Sequence, residues 1–259
     1  MRVVQRGDGE PEVAVVGAIH GDEPCGVRAI EGFLERDLDV QRPVAFVIAN
    51  ERALAGERRF VEEDLNRAFP GDPDGESHES RLAAALVERI DHCLTLSLHS
   101  TRSHPDPFAV VAEPSDLVLE LCPRLPVEAV VETGPLAEGR LFTSVETIEV
   151  ECGLQGSADA AANASRIVER FLQAADVLPG EPPVSTIPRY RLDRPLPKEP
   201  DQDHEILVRN FERVEPGDSY ARTNGRLHLA DAPFYPVLLS ADGYADVWGY
   251  AAEKVGEIP

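Results

Sequence analysis

Apolar and polar positions along this chain follow two distinct periods. Residues 13–19, VAVVGAI, form a short unbroken apolar run, the pattern of a strand covered on both faces. Residues 24–37, PCGVRAIEGFLERD, bring apolar side chains back every three or four positions, with Pro24 near the start, and predict a helix. The alternation continues with a strand over 42–50 (RPVAFVIAN), a helix over 77–93 opened by Ser77 and Ser80 as candidate caps, and a strand over 94–100 (LTLSLHS). PFAVVAE, the helical SDLVLELCPRL, PVEAVVE and TIEVECG (147–153) follow, and 158–178 carries the clearest helical period of the chain. Strands alternating with helices predict an α/β fold, a mixed, mostly parallel sheet covered by helices.

Two stretches break the pattern. Residues 51–75 are rich in charge, end in Pro and Gly, and read mostly as loop; residues 179–200, PGEPPVSTIPRYRLDRPLPKEP, are proline-rich and read as a non-helical connection. Beyond it EILVRNF, SYARTN, RLHLA, FYPVLLS and ADVWGYA predict short strands. The expected organisation is an α/β domain over 1–180 and a small β-rich C-terminal module over 181–259. There is no internal repeat and no Walker or Rossmann glycine motif.

Composition narrows the function. The 259 residues suffice for a full core, and no apolar run approaches the roughly 20 residues of a membrane helix. MRVVQRGDGEPE lacks the apolar centre of a signal peptide, so the protein reads as soluble and cytoplasmic. Acids outnumber bases 47 to 25, a net charge of −22, and only Lys198 and Lys254 are lysines. Such a field repels nucleic acid and anionic membranes. Because the acids are spread along the chain and not gathered in a tail, adaptation to a high-salt cytoplasm explains them better than an acidic interaction surface does. In this background, local arginine clusters stand out as receptors for an anionic substrate. Cys25, Cys93, Cys122 and Cys152 have no C-x-x-C spacing and read as small buried thiols. Oligomeric state is left open, a homo-oligomer included.

The candidate chemistry begins at GAIHGDEPCG, where a buried-looking strand runs straight into His20 and Glu23. Catalytic zinc takes three protein ligands, a two-His, one-Glu set among them, and keeps a fourth position for water. His99, in the strand LTLSLHS, supplies a second imidazole at a neighbouring strand end. His104, in a proline-flanked loop, competes for the third position; His92 falls near a helix end, where the helix dipole accounts for it. RRFVEEDLNRAFPGD (58–72) places Arg58, Arg59, Asn66 and Arg67 between the two halves of this set, and forked guanidinium donors suit carboxylates.

G-A-I-H-G-D-E, D-L-N-R-A-F-P-G, L-H-S-T and E-C-G before an Ala-rich helix occur here in that order. Together they resemble the succinylglutamate desuccinylase/aspartoacylase family, which is related to the zinc carboxypeptidases. The resemblance is spread over 13–180, with weaker support from YPVLLSADGY (235–244). It implies one Zn2+ per chain on His20, Glu23 and His99, the same set the spacing suggests. It further implies that Arg59 polarises the scissile carbonyl, that Asn66 and Arg67 hold substrate carboxylate, and that Glu151 is the catalytic glutamate. Arg140, eleven residues earlier, would grip the other end of the substrate, and Tyr244 would contact it from the C-terminal module. Glu132, in VVETGP, rivals Glu151 but has no long helix after it. One departure concerns the residue two before the last ligand, where the family usually has Asp in D-L-H and this chain has Ser97.

The expected activity is zinc-dependent hydrolysis of a small anionic N-acyl amino acid, water being activated by Zn2+ and Glu151. Two other readings use the same residues: a carboxypeptidase-type peptide hydrolase, and a non-catalytic metal- or anion-binding module.

Overall fold

A computed structural model of the chain describes residues 1–259. In chain order the strands are β1 (Arg2–Arg6), β2 (Val13–Gly17), β3 (Val44–Ile48), β4 (Leu94–Thr101), β5 (Phe108–Val111), β6 (Val130–Glu132), β7 (Thr147–Leu154), β8 (Ile187–Pro197), β9 (His204–Ile206), β10 (Ser219–Thr223), β11 (Arg226–Leu229), β12 (Tyr235–Val237) and β13 (Val247–Ile258). The helices are α1 (Cys25–Leu34), α2 (Glu51–Ala55), α3 (His78–Ile90), α4 (Asp116–Leu121) and α5 (Ala158–Ala174). Ten strands form one sheet in the order β1-β3-β2-β4-β7-β5-β6-β8-β13-β12, and β11-β10-β9 form a small antiparallel sheet. The centre is parallel: β2 pairs with β3 and β4, and β4 with β7. β1, β5 and β13 run antiparallel to their neighbours β3, β7 and β8. The large sheet is thus mixed and mostly parallel around its centre, as the apolar periods predict.

Strand alternation sends successive side chains to opposite faces, and each face has its own helices. Val13, Val15, Phe46, Leu96, Leu98 and Val150 pack with Ile30 and Phe33 of α1 and Ile167 and Phe171 of α5. Ala14, Val16, Ala45 and Val47 face the other way, against Leu82, Leu86 and Ile90 of α3. Ser77 caps α3 by accepting the N–H of Ser80 at 2.9 Å, whereas the Ser80 hydroxyl accepts from Asp72. Ser157 caps α5 through the N–H of Ala160 at 3.0 Å. No helix is long and apolar enough to cross a membrane, and all four cysteines are buried free thiols.

Two local expectations change, and one strand comes without a sequence signal. The polar N-terminus forms β1, an edge strand whose mixed exposure hides its period. Residues 51–75, read as loop, contain α2 and a single 3-10 turn at Leu65–Arg67. The proline-rich stretch holds the eleven-residue β8. Prolines lack the N–H that a central ladder needs, and β8 accommodates them by position. Only Arg189, Tyr190 and Arg191 pair with β6, between Pro188 and Pro195. The pairing with β13 is broken by three register shifts. Through β8, β12 and β13 the segment 181–259 extends the large sheet, and only β9, β10 and β11 stand apart.

The charged segment 58–67 is shaped by one buried group. The Glu79 carboxylate, fully buried at the start of α3, accepts the N–H of Val61 at 2.7 Å, of Glu62 at 3.1 Å and the amide of Asn50 at 2.9 Å. Burial alone would raise its pKa, but these donors hold it below the ordinary value. Glu79→Gln should therefore cost about 2–3 kcal/mol in urea unfolding at neutral pH. The folded pKa is depressed, so this advantage is present above the unfolded value of about 4.3 and fades as pH falls below it. A difference between the two proteins that stays constant from pH 7 to pH 3 would rule out the ionised Glu79 as its source.

Candidate metal centre and its cleft

The parallel register of β2, β4 and β7 brings their C-terminal ends to one edge. Ala18, in the left-handed region at φ 57°, turns the chain out of β2 and into His20. Gly21 is required there, because an added Cβ would stand 2.2 Å from the backbone carbon of Ala53 in α2. Its N–H is bonded to the carbonyl of Arg59 at 3.1 Å, which joins the His20–Glu23 turn to the segment carrying that arginine. Gly26, in the first turn of α1, lets the helix sit directly on β4; a Cβ would meet that of Leu98 at 2.9 Å. Close approach at these two glycines carries Glu23 to His99.

Both imidazoles turn Nδ1 toward one carboxylate. His20 Nδ1 lies 2.8 Å from Glu23 Oε1, and His99 Nδ1 lies 3.1 Å from Glu23 Oε2. The Ser100 N–H also donates to Glu23 Oε2, at 3.0 Å. All three residues are buried, and their ligand atoms lie within 4.8 Å of one another. The outer nitrogens are engaged too: His20 Nε2 with Asp64 Oδ1 at 3.0 Å, and His99 Nε2 with the Ser97 hydroxyl at 3.2 Å. Two neutral-capable imidazoles, one carboxylate and oriented outer partners are the donor set and support that a catalytic divalent metal takes. The residues present fit such an ion.

Electrostatics follow from this crowding. Burial would raise Glu23, but His20 and His99 hold it well below the usual carboxylate range. Burial works against a charge on His99, yet Glu149 and Glu23 lift it to about 9. His20 is likewise raised, by Glu23 and Asp64 against its burial. The carboxylates thus favour protonated imidazoles, and a divalent ion held by these residues would require both rings to be neutral. Glu151 is raised to about 7, first by burial and then by Glu23, and its Oε2 has no hydrogen-bond partner.

The nine residues given ligand, catalytic or substrate roles in the sequence line one cleft, namely His20, Glu23, Arg59, Asn66, Arg67, His99, Arg140, Glu151 and Tyr244, whereas Arg58 is exposed outside it. Arg59 donates to Glu23 at 3.3 Å and holds Asp64 through Nε and Nη2 at 3.1 and 3.0 Å. Asn66 is buried and engaged at both ends, donating to Glu149 at 3.2 Å and accepting from the N–H of Leu141 at 3.2 Å. Arg67 donates to the Asn66 carbonyl at 2.7 Å. Arg140 reaches Glu149 through Nη1 at 3.0 Å, while its buried Nε has no partner. Tyr244 arrives from the far end of the chain, on a loop whose carbonyls at Ala241 and Tyr244 accept from the Lys198 ammonium at 2.7 and 2.5 Å. Asn210 ties the start of this loop to the wall of the cleft, accepting from the Leu239 N–H at 2.8 Å and donating to the Ser103 carbonyl at 2.8 Å.

The competing residues lie elsewhere. His92 is exposed just beyond α3 beside Asp91. His104 stacks edge-on against Phe108 and Phe211 and pairs with Glu128. Glu132 is neutralised by Arg191 at 2.8 Å and Arg189 at 3.5 Å, away from the imidazoles. Sequence reasoning passed over Asp64, Glu149 and Arg102. Asp64 lies inside the quoted D-L-N-R run, and Glu149 precedes Glu151 by two residues, the period that puts both on one face of a strand. Arg102, whose Nε donates to Gln155 at 2.9 Å, carries no local signal of its position in the cleft.

Residues 9–175 match the model of the succinylglutamate desuccinylase/aspartoacylase catalytic domain. The chain is 31% identical over 220 residues to the N-alpha-acetyl-L-2,4-diaminobutyric acid deacetylase of Halomonas elongata, a stretch covering 74% of this chain and 63% of that protein. The chain therefore spans somewhat under two thirds of that relative's length. It also superposes on a product-bound ectoine utilization protein from Ruegeria pomeroyi with a TM-score of 0.78 at 22% identity, over 96% of this chain and 88% of that one. Murine aminoacylase 3 has the same fold, with a TM-score of 0.71 at 22% identity over 98% and 99% of the two chains. By the span of the matched catalytic domain, the chain belongs to the succinylglutamate desuccinylase/aspartoacylase family.

Proposed function

We propose that the protein is a zinc-dependent amidohydrolase that removes a small acyl group from an N-acyl amino acid. The observation that carries this reading is the convergence of two imidazole Nδ1 atoms on the Glu23 carboxylate, with the unpartnered Glu151 oxygen in the same cleft. When bound, the metal supplies Lewis acidity and brings the pKa of water down towards about 7.

This chain's residues do the rest. Glu151, buried and lifted to about 7, takes a proton from the attacking water and returns it to the departing amine. Arg59, fixed by Asp64 and Glu23, donates to the carbonyl oxygen as negative charge develops there. Arg67, and Arg140 through its free Nε, grip carboxylate, Asn66 holds the group beside them, and Tyr244 closes the cleft from the C-terminal segment. Four arginines, Arg59, Arg67, Arg102 and Arg140, line this cleft in a chain of net charge −22, which suits a small anionic substrate.

Only two of the 18 lining residues are hydrophobic, Leu238 and Tyr244. Aromatic side chains need extended apolar surface, so the lining favours a short acyl group and a small polar amino acid. Curated relatives include the Halomonas elongata deacetylase of an acetylated diamino acid and rat N-acyl-aromatic-L-amino acid amidohydrolase. The polar lining favours the former type of substrate. A peptide hydrolase is disfavoured as well, since Leu238, Ser240, Gly243 and Tyr244 of the C-terminal segment take up part of the cleft lining.

Purified protein should carry one zinc per chain, and chelation should abolish turnover that added zinc restores. His99→Ala should lower metal content itself. Glu151→Gln should keep its zinc while kcat falls by about 100-fold or more. Activity is to be read at molar salt on N-acetyl and N-succinyl amino acids beside short peptides. Zinc-loaded protein inert on every compound would leave a binding module, and preference for peptides would leave a peptidase.

A further inference from the structure

Ser97 and Glu149 are register partners on β4 and β7, and two residues further on the partners are His99 and Glu151. The two-residue period puts these four side chains on one face of the sheet, opposite Leu96, Leu98 and Val150 in the core. Glu149 is completely buried. Its Oε2 stands 3.7 Å from His99 Nε2, with the Ser97 hydroxyl 3.2 Å from the same nitrogen. Its Oε1 accepts from Arg140 at 3.0 Å, and the Asn66 amide donates to Oε2 at 3.2 Å.

The other imidazole has a matching arrangement. His20 Nε2 meets Asp64 at 3.0 Å, and Asp64 holds Arg59 at 3.0 Å. On each side a ligand imidazole, a carboxylate and an arginine of the cleft stand in series. Asp64 is partly exposed and reached from a loop; Glu149 is fully buried on the sheet. A carboxylate beside the outer nitrogen fixes a ligand histidine's tautomer and ring orientation, and a buried guanidinium needs a charged partner to stay in place.

Building on the metal reading above, we propose that Glu149 is a positioning residue that couples the two halves of the site, orienting His99 for the metal and Arg140 for the substrate. It lies outside the His20–Glu23–His99 ligand set, and the role assigned to it is exerted through the His99 and Arg140 side chains. Ser97 alone cannot serve both functions: its hydroxyl reaches His99 at 3.2 Å but carries no charge for Arg140.

The test uses the full chain with Glu149→Gln and the double variant Ser97→Asp/Glu149→Gln. Zinc affinity is read by competition with a chromophoric chelator, which needs no turnover, and kcat and KM are read on the best N-acyl amino acid. Glu149→Gln should weaken zinc by about 10- to 100-fold and raise KM. The double variant returns a carboxylate to His99 from β4 but none to Arg140, so zinc affinity should recover while KM stays high. Unchanged zinc affinity and KM in Glu149→Gln would overturn the proposal. So would losses that the double variant leaves untouched alongside a lowered melting temperature of the metal-free protein, the pattern of a purely structural residue. If Glu149→Gln does not fold, Glu149→Asp replaces it. That arm is too short to span His99 and Arg140, and retention of both constants would likewise overturn the coupling. Failure of the unsubstituted chain to bind zinc would sink the metal reading itself, an outcome distinct from any of these.

Discussion

A carboxylate buried between two imidazoles is the interaction on which the site rests. Glu23 lies at the start of α1 with almost no access to water, where an unpaired charge costs several kcal/mol. His20, His99, the Ser100 N–H and Arg59 all point at it, drawn from three separate segments of the chain. Such an arrangement is stable only if β2, β4 and α1 are held at fixed separations. The glycines at 21 and 26 permit those separations, and the apolar layers on both faces of the sheet hold them.

Charge is organised at two scales. Over the whole chain, acids dominate and repel one another, so the surface contributes solubility and little cohesion. Inside the cleft, Arg59 with Asp64 and Arg140 with Glu149 form matched pairs, while Arg67 and Arg102 bond to uncharged oxygens. The surplus of positive charge sits where a carboxylate would enter. Lys198, one of two lysines, is spent on carbonyls of the loop that brings in Tyr244. Distant chain segments thereby finish a cleft begun by the first hundred residues.

Much of this is legible in the sequence. The apolar periods located the central strands and the long helices, because periodicity is a local consequence of strand and helix geometry. β8 escaped because its prolines signal a connection, and they are tolerated only because β6 pairs with the three residues between them. Asp64 and Glu149 escaped for another reason. Each is an ordinary acid in a chain with 47 of them, and only contact with a histidine from another element sets it apart.

By itself the sequence determined the α/β alternation, the His–x–x–Glu turn after a strand, the arginine-bearing segment and the choice of residue types able to hold a metal. These depend on spacing within a few residues. The tertiary structure decided that His99 and not His104 faces Glu23, that Glu151 and not Glu132 is left without a partner ion, and that Glu149 stands behind His99. Those outcomes depend on register between strands far apart in sequence, where a slip of one residue would turn every side chain to the opposite face.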